Sequence, residues 1–127
     1  MQRNTQNRQA GVWLDQRIAI IISRDPEDVD GDYAIQGKVD SDMEPRSGNE
    51  HTINSGKQSD ILKYFKNLAN QLSEYDELLV FGPGKMQEQF RNFAQEDVQF
   101  KDKKITLDTA EHQTDPQMIA QVREFFE

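Results

Sequence analysis

Two carboxylates at the ends of apolar runs, a glycine-rich turn closed by a lysine, and a Gly-x-Gln in a polar stretch are the parts of this chain able to do chemistry. Asp15 follows VWL at residues 12–14, and Asp108 follows ITL at residues 105–107. Carboxylates projecting from strand ends can hold two divalent ions, one activating water and one stabilising the leaving oxygen, as in a metal-dependent phosphoesterase or nuclease. Asp15 and Asp108 are the catalytic candidates for that chemistry. The apolar run between them in sequence ends in Phe81-Gly82-Pro83 with no carboxylate, and the first helical pattern offers only Asp60 and Glu74 at its extremities. Two ions need more acids than this.

Gly82-Pro83-Gly84-Lys85 could cradle a phosphate, with backbone N–H groups and the Lys85 ammonium as ligands, which makes Gly82, Gly84 and Lys85 binding candidates. It departs from a Walker loop, because Met86 stands where a Ser or Thr would hold a metal and Pro83 lacks an N–H. Asp28, Asp30, Gly31 and Asp32 have the look of a calcium loop, but the register fails. With Gly31 at the sixth position, the first falls on Pro26 and the twelfth on Gly37, so an acidic turn is expected. His51 and His112 lack a second His or Cys at ligand spacing, and no metal or cofactor is expected. Gly56-Lys57-Gln58-Ser59 closes a polar stretch at residues 40–59 that also contains Arg46 and His51. Arg46 and Lys57 could meet RNA phosphates there, with His51 and Gln58 adding hydrogen bonds.

These residues need elements to position them. Residues 10–23 (AGVWLDQRIAIIIS) hold two apolar runs split by Asp15, Gln16 and Arg17, which predicts a hairpin, and residues 33–39 alternate like a third, half-buried strand. Residues 40–59 show no period and read as a long loop. Ile61, Leu62, Phe65, Leu68, Ala69 and Leu72 mark one face of a helix of about four turns, with Ser55 or Ser59 as N-cap. Residues 78–85 (LLVFGPGK) read as a strand buried on both faces and a tight turn, opening onto a helix marked by Met86, Phe90, Phe93 and Ala94. Beyond a weakly alternating stretch from Val98, residues 103–108 (KKITLD) are the stronger strand candidate. Thr114, Pro116 and Gln117 predict a capping box for a last helix through Ile119, Val122, Phe125 and Phe126.

The order β-β-β-α-β-α-β-α is that of a ribonuclease-H-like three-layer α/β domain with a five-stranded mixed sheet, and by that analogy the strand order is 3-2-1-4-5. A chain of 127 residues makes one domain, residues 10–127, behind a disordered tail at residues 1–9. A net charge of −8 disfavours wholesale binding to nucleic acid and suits a protein–protein adaptor, though a local basic patch is compatible with it. The absence of cysteine excludes disulfides and thiolate metal sites. No apolar stretch approaches the ~20 residues that span a bilayer. The first nine residues have no apolar core for a signal, so a cytoplasmic protein is expected.

Gly11-Val12-Trp13-Leu14-Asp15 with the Ile-rich run after it, Leu79-Val80-Phe81-Gly82-Pro83-Gly84, Asp108-Thr109-Ala110 with Thr114-Asp115-Pro116-Gln117, and Val122-Arg123-Glu124-Phe125-Phe126 together carry a resemblance spanning most of residues 10–127. The chain resembles the central domain of the class I release factors of archaea and eukaryotes and of their relative Pelota, and is most similar to small bacterial proteins related to that domain. In release factors, the loop before the first long helix carries a Gly-Gly-Gln motif whose glutamine positions the water that hydrolyses peptidyl-tRNA. Gly56-Lys57-Gln58 occupies a similar place, with a lysine for the middle glycine. The resemblance therefore implies a translation-related, non-enzymatic protein that binds the ribosome, tRNA or a translation factor without hydrolysing peptidyl-tRNA.

Overall fold

The computed structural model describes residues 8–24, 31–41 and 50–127. Two strands, β1 (Gln9–Leu14) and β2 (Ile18–Arg24), form the hairpin that the split apolar runs predict, with Val12 opposite Ile21. Its turn is closed by the side chain that follows β1. Asp15 Oδ1 accepts from the Arg17 and Ile18 N–H groups at 2.8 and 2.9 Å, an arrangement that suits the short polar side chain of Asp. The third strand, β3 (Tyr33–Asp40), pairs antiparallel with β2 and shifts register between Ile21 and Ile22. The acidic turn expected between these strands falls largely on residues 25–30, outside the described residues.

Strands β4 (Glu77–Gly82) and β5 (Lys104–Thr109) add parallel to β1, giving the sheet order β3-β2-β1-β4-β5. Both the mixed five-stranded sheet and its order agree with the α/β architecture read from the sequence. Arg8 carries the pairing one residue before β1, since its carbonyl accepts from the Asp76 and Glu77 N–H groups at 2.7 and 3.0 Å.

Period-two alternation divides the core into two layers. Val12, Leu14, Ile21, Leu78 and Val80 point to one face, where α1 (Glu50–Gln71) contributes Tyr64, Phe65 and Leu68, the turn after it Leu72, and α2 (Met86–Gln95) Phe90 and Ala94. Trp13, Ile20, Ile22, Leu79 and Phe81 point to the other, covered by Met118 and Val122 of α3 (Asp115–Phe126). Neighbouring β4 residues are buried on opposite faces, which is why that strand reads as an uninterrupted apolar run. The capping box forms as predicted: Thr114 Oγ1 accepts from the Gln117 N–H while Gln117 Oε1 accepts from the Thr114 N–H.

One expectation is corrected. The stretch read as loop to residue 59 is helical from Glu50, so Ser55 and Ser59 lie inside α1 and neither caps it. Helix propagation adds a hydrogen bond per residue without a new nucleation cost, and a lone Gly56 opposes it by only about 1 kcal/mol. In the sequence the apolar period begins only at Ile61, so it marks the later turns of the helix and not its start. Residues 98–100 form a single 3-10 turn, started by the Asp97 side chain accepting from the Gln99 N–H at 2.9 Å.

Candidate functional site

The carboxyl ends of β1 and β4 meet at a contact that only glycine permits. A Cβ on Gly82 would lie 2.2 Å from the Leu14 carbonyl oxygen, so the backbones approach as closely as they do because position 82 carries no side chain. From Gly82 the chain turns through Pro83 and Gly84 into α2, whose cap position is Lys85, with no side chain capping the helix start. Gln87 lies buried beneath this turn and donates from Nε2 to the carbonyls of Gly82 and Asp108 at 3.1 and 3.4 Å. It ties the ends of β4 and β5 to the first turn of α2.

Beside the Gly82 turn lies the hairpin turn of Asp15, Gln16 and Arg17. The Asp15 carbonyl accepts from the buried Tyr64 hydroxyl at 3.0 Å, which fixes the turn to α1. Burial, followed by the charges of Asp15 and Asp40, holds the Tyr64 phenol far above its ordinary ionisation range, so it serves as a neutral donor. Asp15 Oδ2 faces His112 Nε2 at 3.4 Å, and the His112 ring lies against Trp13 with centroids 5.3 Å apart. His112 belongs to the loop after β5, so three loops that follow sheet strands converge here.

Between them opens a cleft of about 710 Å³. Ile61, Pro83 and Met86 give it an apolar part, and Arg17, Lys85 and His112 bring cationic or protonatable groups to it. Ligands in open α/β sheets commonly bind at the carboxyl ends of parallel strands, beside uncapped helix N-termini.

Among the residues singled out in the sequence, Asp15, Gly84 and Lys85 meet at this cleft, with Gly82 in the packing at its edge. Asp108 is placed apart. Its partner across β4 is Phe81, and Phe81 in turn pairs with Trp13, so β4 separates Asp108 from β1 by about 10 Å of sheet. Asp108 Oδ1 accepts from the Thr109 N–H at 2.8 Å and Oδ2 from Gln121 Nε2 at 3.4 Å, whereas Asp15 serves its own turn and His112. Among the described residues no three His or acidic side chains gather as a metal would require. His51, Lys57 and Gln58, expected on a loop, stand in the first turns of α1, and Arg46 lies outside the described residues.

Sequence reasoning missed Arg17 and His112 as members of this cluster. Each nonetheless sits just past a strand end, Arg17 two residues after Asp15 and His112 four after Asp108. In a parallel arrangement such loops gather at one edge, and that rule could have found them.

No protein-family model matches the chain, and no curated protein sequence matches it. Solved structures do. The Pelota protein of Thermoplasma acidophilum superposes over 95% of this chain with a TM-score of 0.59 and 22% identity. The chain has a fold found in Pelota. Archaeoglobus fulgidus Pelota matches over 95% of the chain with a TM-score of 0.60 and 13% identity, and the archaeal translation termination factor aRF1 over 93% with 0.51 and 12%. The chain spans only about a third of each, 33%, 32% and 38% of their lengths, so the likeness is to one portion of larger proteins. At these identities it establishes the fold. Among the described residues no helix is long and apolar enough to cross a membrane.

Proposed function

We propose that the protein is a component of the translational machinery, a Pelota- and release-factor-like module that binds the ribosome, tRNA or a translation factor and does not hydrolyse peptidyl-tRNA. Its support is the fold likeness to Pelota and to a translation termination factor along 93–95% of the chain, together with the sequence marks of that domain at residues 11–15, 79–84 and 108–117. The contact region is the stretch from Arg46 through His51, Lys57 and Gln58. It carries cations in a chain whose overall charge of −8 opposes binding to RNA elsewhere.

The backbone supports the reading that hydrolysis is absent. A glutamine that enters a catalytic centre needs mobile glycines before it, whereas Gln58 follows Lys57 and both lie inside α1, where backbone N–H and C=O groups are engaged in the helix.

Co-sedimentation with ribosomes at moderate salt tests the binding. The protein is expected in the ribosomal pellet, with Lys57→Glu reducing its share. Recovery of all the protein in the supernatant, with Lys57→Glu making no difference, would overturn the proposal. Release of the peptide from peptidyl-tRNA on ribosomes, measured beside an active release factor, should stay at the uncatalysed level.

A further inference from the structure

We propose that the cleft at the carboxyl ends of β1 and β4 is a binding site for a phosphate-bearing small molecule of mononucleotide size. Three independent features of the cleft lead there. First, its volume of about 710 Å³ lies within the range of roughly 300–1,000 Å³ typical of small-molecule sites and is far larger than an inorganic anion requires. Second, Arg17 and Lys85 both line it, and neither forms an ion pair among the described residues, although the chain has 23 acidic residues to 15 basic. Two cations that line one cleft and are unpaired among the described residues match a dianionic phosphate, with the guanidinium able to bind two oxygens and the ammonium acting as a point charge. Third, Ile61 and Pro83, with the small exposed part of the otherwise buried Met86, supply an apolar surface that a bare phosphate would not use and that a planar base would cover.

The remaining groups fit the same ligand. The start of α2, with Lys85 at its cap and no side chain satisfying its first N–H groups, faces an anion favourably. The carboxylate of the cleft, Asp15, is engaged by the Arg17 and Ile18 N–H groups and by His112, so its repulsion toward a phosphate is reduced. Gln16 and Gln89 add side-chain amides for hydroxyl or base edges. The site is built from the hairpin turn, the Gly82 turn, the loop after β5 and Ile61 of α1, and a titration with small molecules reads it separately from ribosome binding.

Titration with AMP, inorganic phosphate and adenosine, followed by amide NMR, tests the proposal on the intact chain. AMP should give saturable shifts at Gly84, Lys85 and Gln89, and should bind more tightly than either inorganic phosphate or adenosine. Arg17→Ala and Lys85→Ala should each weaken AMP about tenfold, the loss expected for a charge-assisted contact, while Lys101→Ala, beyond the amino end of β5, should leave it unchanged. Both side chains are exposed, so folding should survive their removal, and retained amide dispersion verifies it. Absence of saturation at millimolar AMP would overturn the proposal. So would adenosine binding as tightly as AMP, inorganic phosphate binding as tightly as AMP, or an equal effect of Lys101→Ala.

Discussion

Gly82 and Gly84 sit two residues apart in one turn, yet they are glycines for different reasons. An added methyl at Gly82 meets the Leu14 carbonyl oxygen at 2.2 Å, and a backbone oxygen inside a paired strand cannot swing away as a side-chain end can. Gly82→Ala must push β1 and β4 apart at their carboxyl ends, and should lower stability by about 3 kcal/mol, at the upper end of the range for overpacking. At Gly84 the same methyl finds nothing within 4 Å, so Gly84→Ala should lie within about 0.5 kcal/mol of the parent. Urea midpoints of the two variants check this, and comparable losses would contradict it. Tyr64 makes a second prediction at this scale. Its phenol is held neutral chiefly by burial, so in the folded chain it keeps its proton at a pH where an unfolded tyrosine, near pH 10, has lost it. The unfolded state then binds fewer protons, and stability falls as pH rises past about 10, while below that the contribution is intact. Tyr64→Phe should make the alkaline side of the stability profile shallower, and should cost about 1 kcal/mol at neutral pH for the hydroxyl bonded to the Asp15 carbonyl. An unchanged alkaline slope would show that Tyr64 does not govern it.

Among the elements, α3 depends on a close approach to the sheet. A Cβ on Gly11 would fall 2.2 Å from Val122 Cγ2, so β1 accepts the fully buried Val122 only where it lacks a side chain. Gly11→Ala should cost about 1–3 kcal/mol, and Val122→Ala a similar amount through the cavity it leaves. Because removing the valine also removes the clash, the double variant should be more stable than the sum of the two losses by at least about 0.5 kcal/mol. Additive losses in a double-mutant cycle would refute a direct contact. Packing of this kind was not legible in the sequence, where Gly11 is one more small residue in an apolar run. What the sequence did disclose was the locally repeating patterns and one cap. The strand pair either side of Asp15, the doubly buried β4 and the Thr114 capping box each leave a local mark, because each depends on neighbours within a few positions. The first turns of α1 leave none, since residues 50–59 carry no apolar stripe and helix extension there needs only ordinary propensity. The cleft was half legible for a related reason. Asp15 and Lys85 announce themselves by strand-end and turn context, whereas His112 joins them only through the parallel crossover that brings the loop after β5 to the same edge.

For the whole molecule, charge decides how any contact with RNA must behave. A protein of net charge −8 gains no long-range attraction to a polyanion, so an RNA contact has to be a small footprint that works against the field of the remainder. On the proposed reading that footprint contains two cations, Arg46 and Lys57, and each phosphate neutralised on single-stranded RNA releases counterions with a salt slope of about −0.7. Two contacts give a slope near −1.4 in log affinity against log salt, which corresponds to a loss of only about sevenfold between 50 and 200 mM. A basic RNA-binding protein with many phosphate contacts loses orders of magnitude over the same interval. Ribosome co-sedimentation across that salt range should therefore give a shallow line, and Lys57→Ala should flatten it by about half. A slope steeper than about −3, or one untouched by Lys57→Ala, would place the contact on other cations and remove residues 46–58 from the interface.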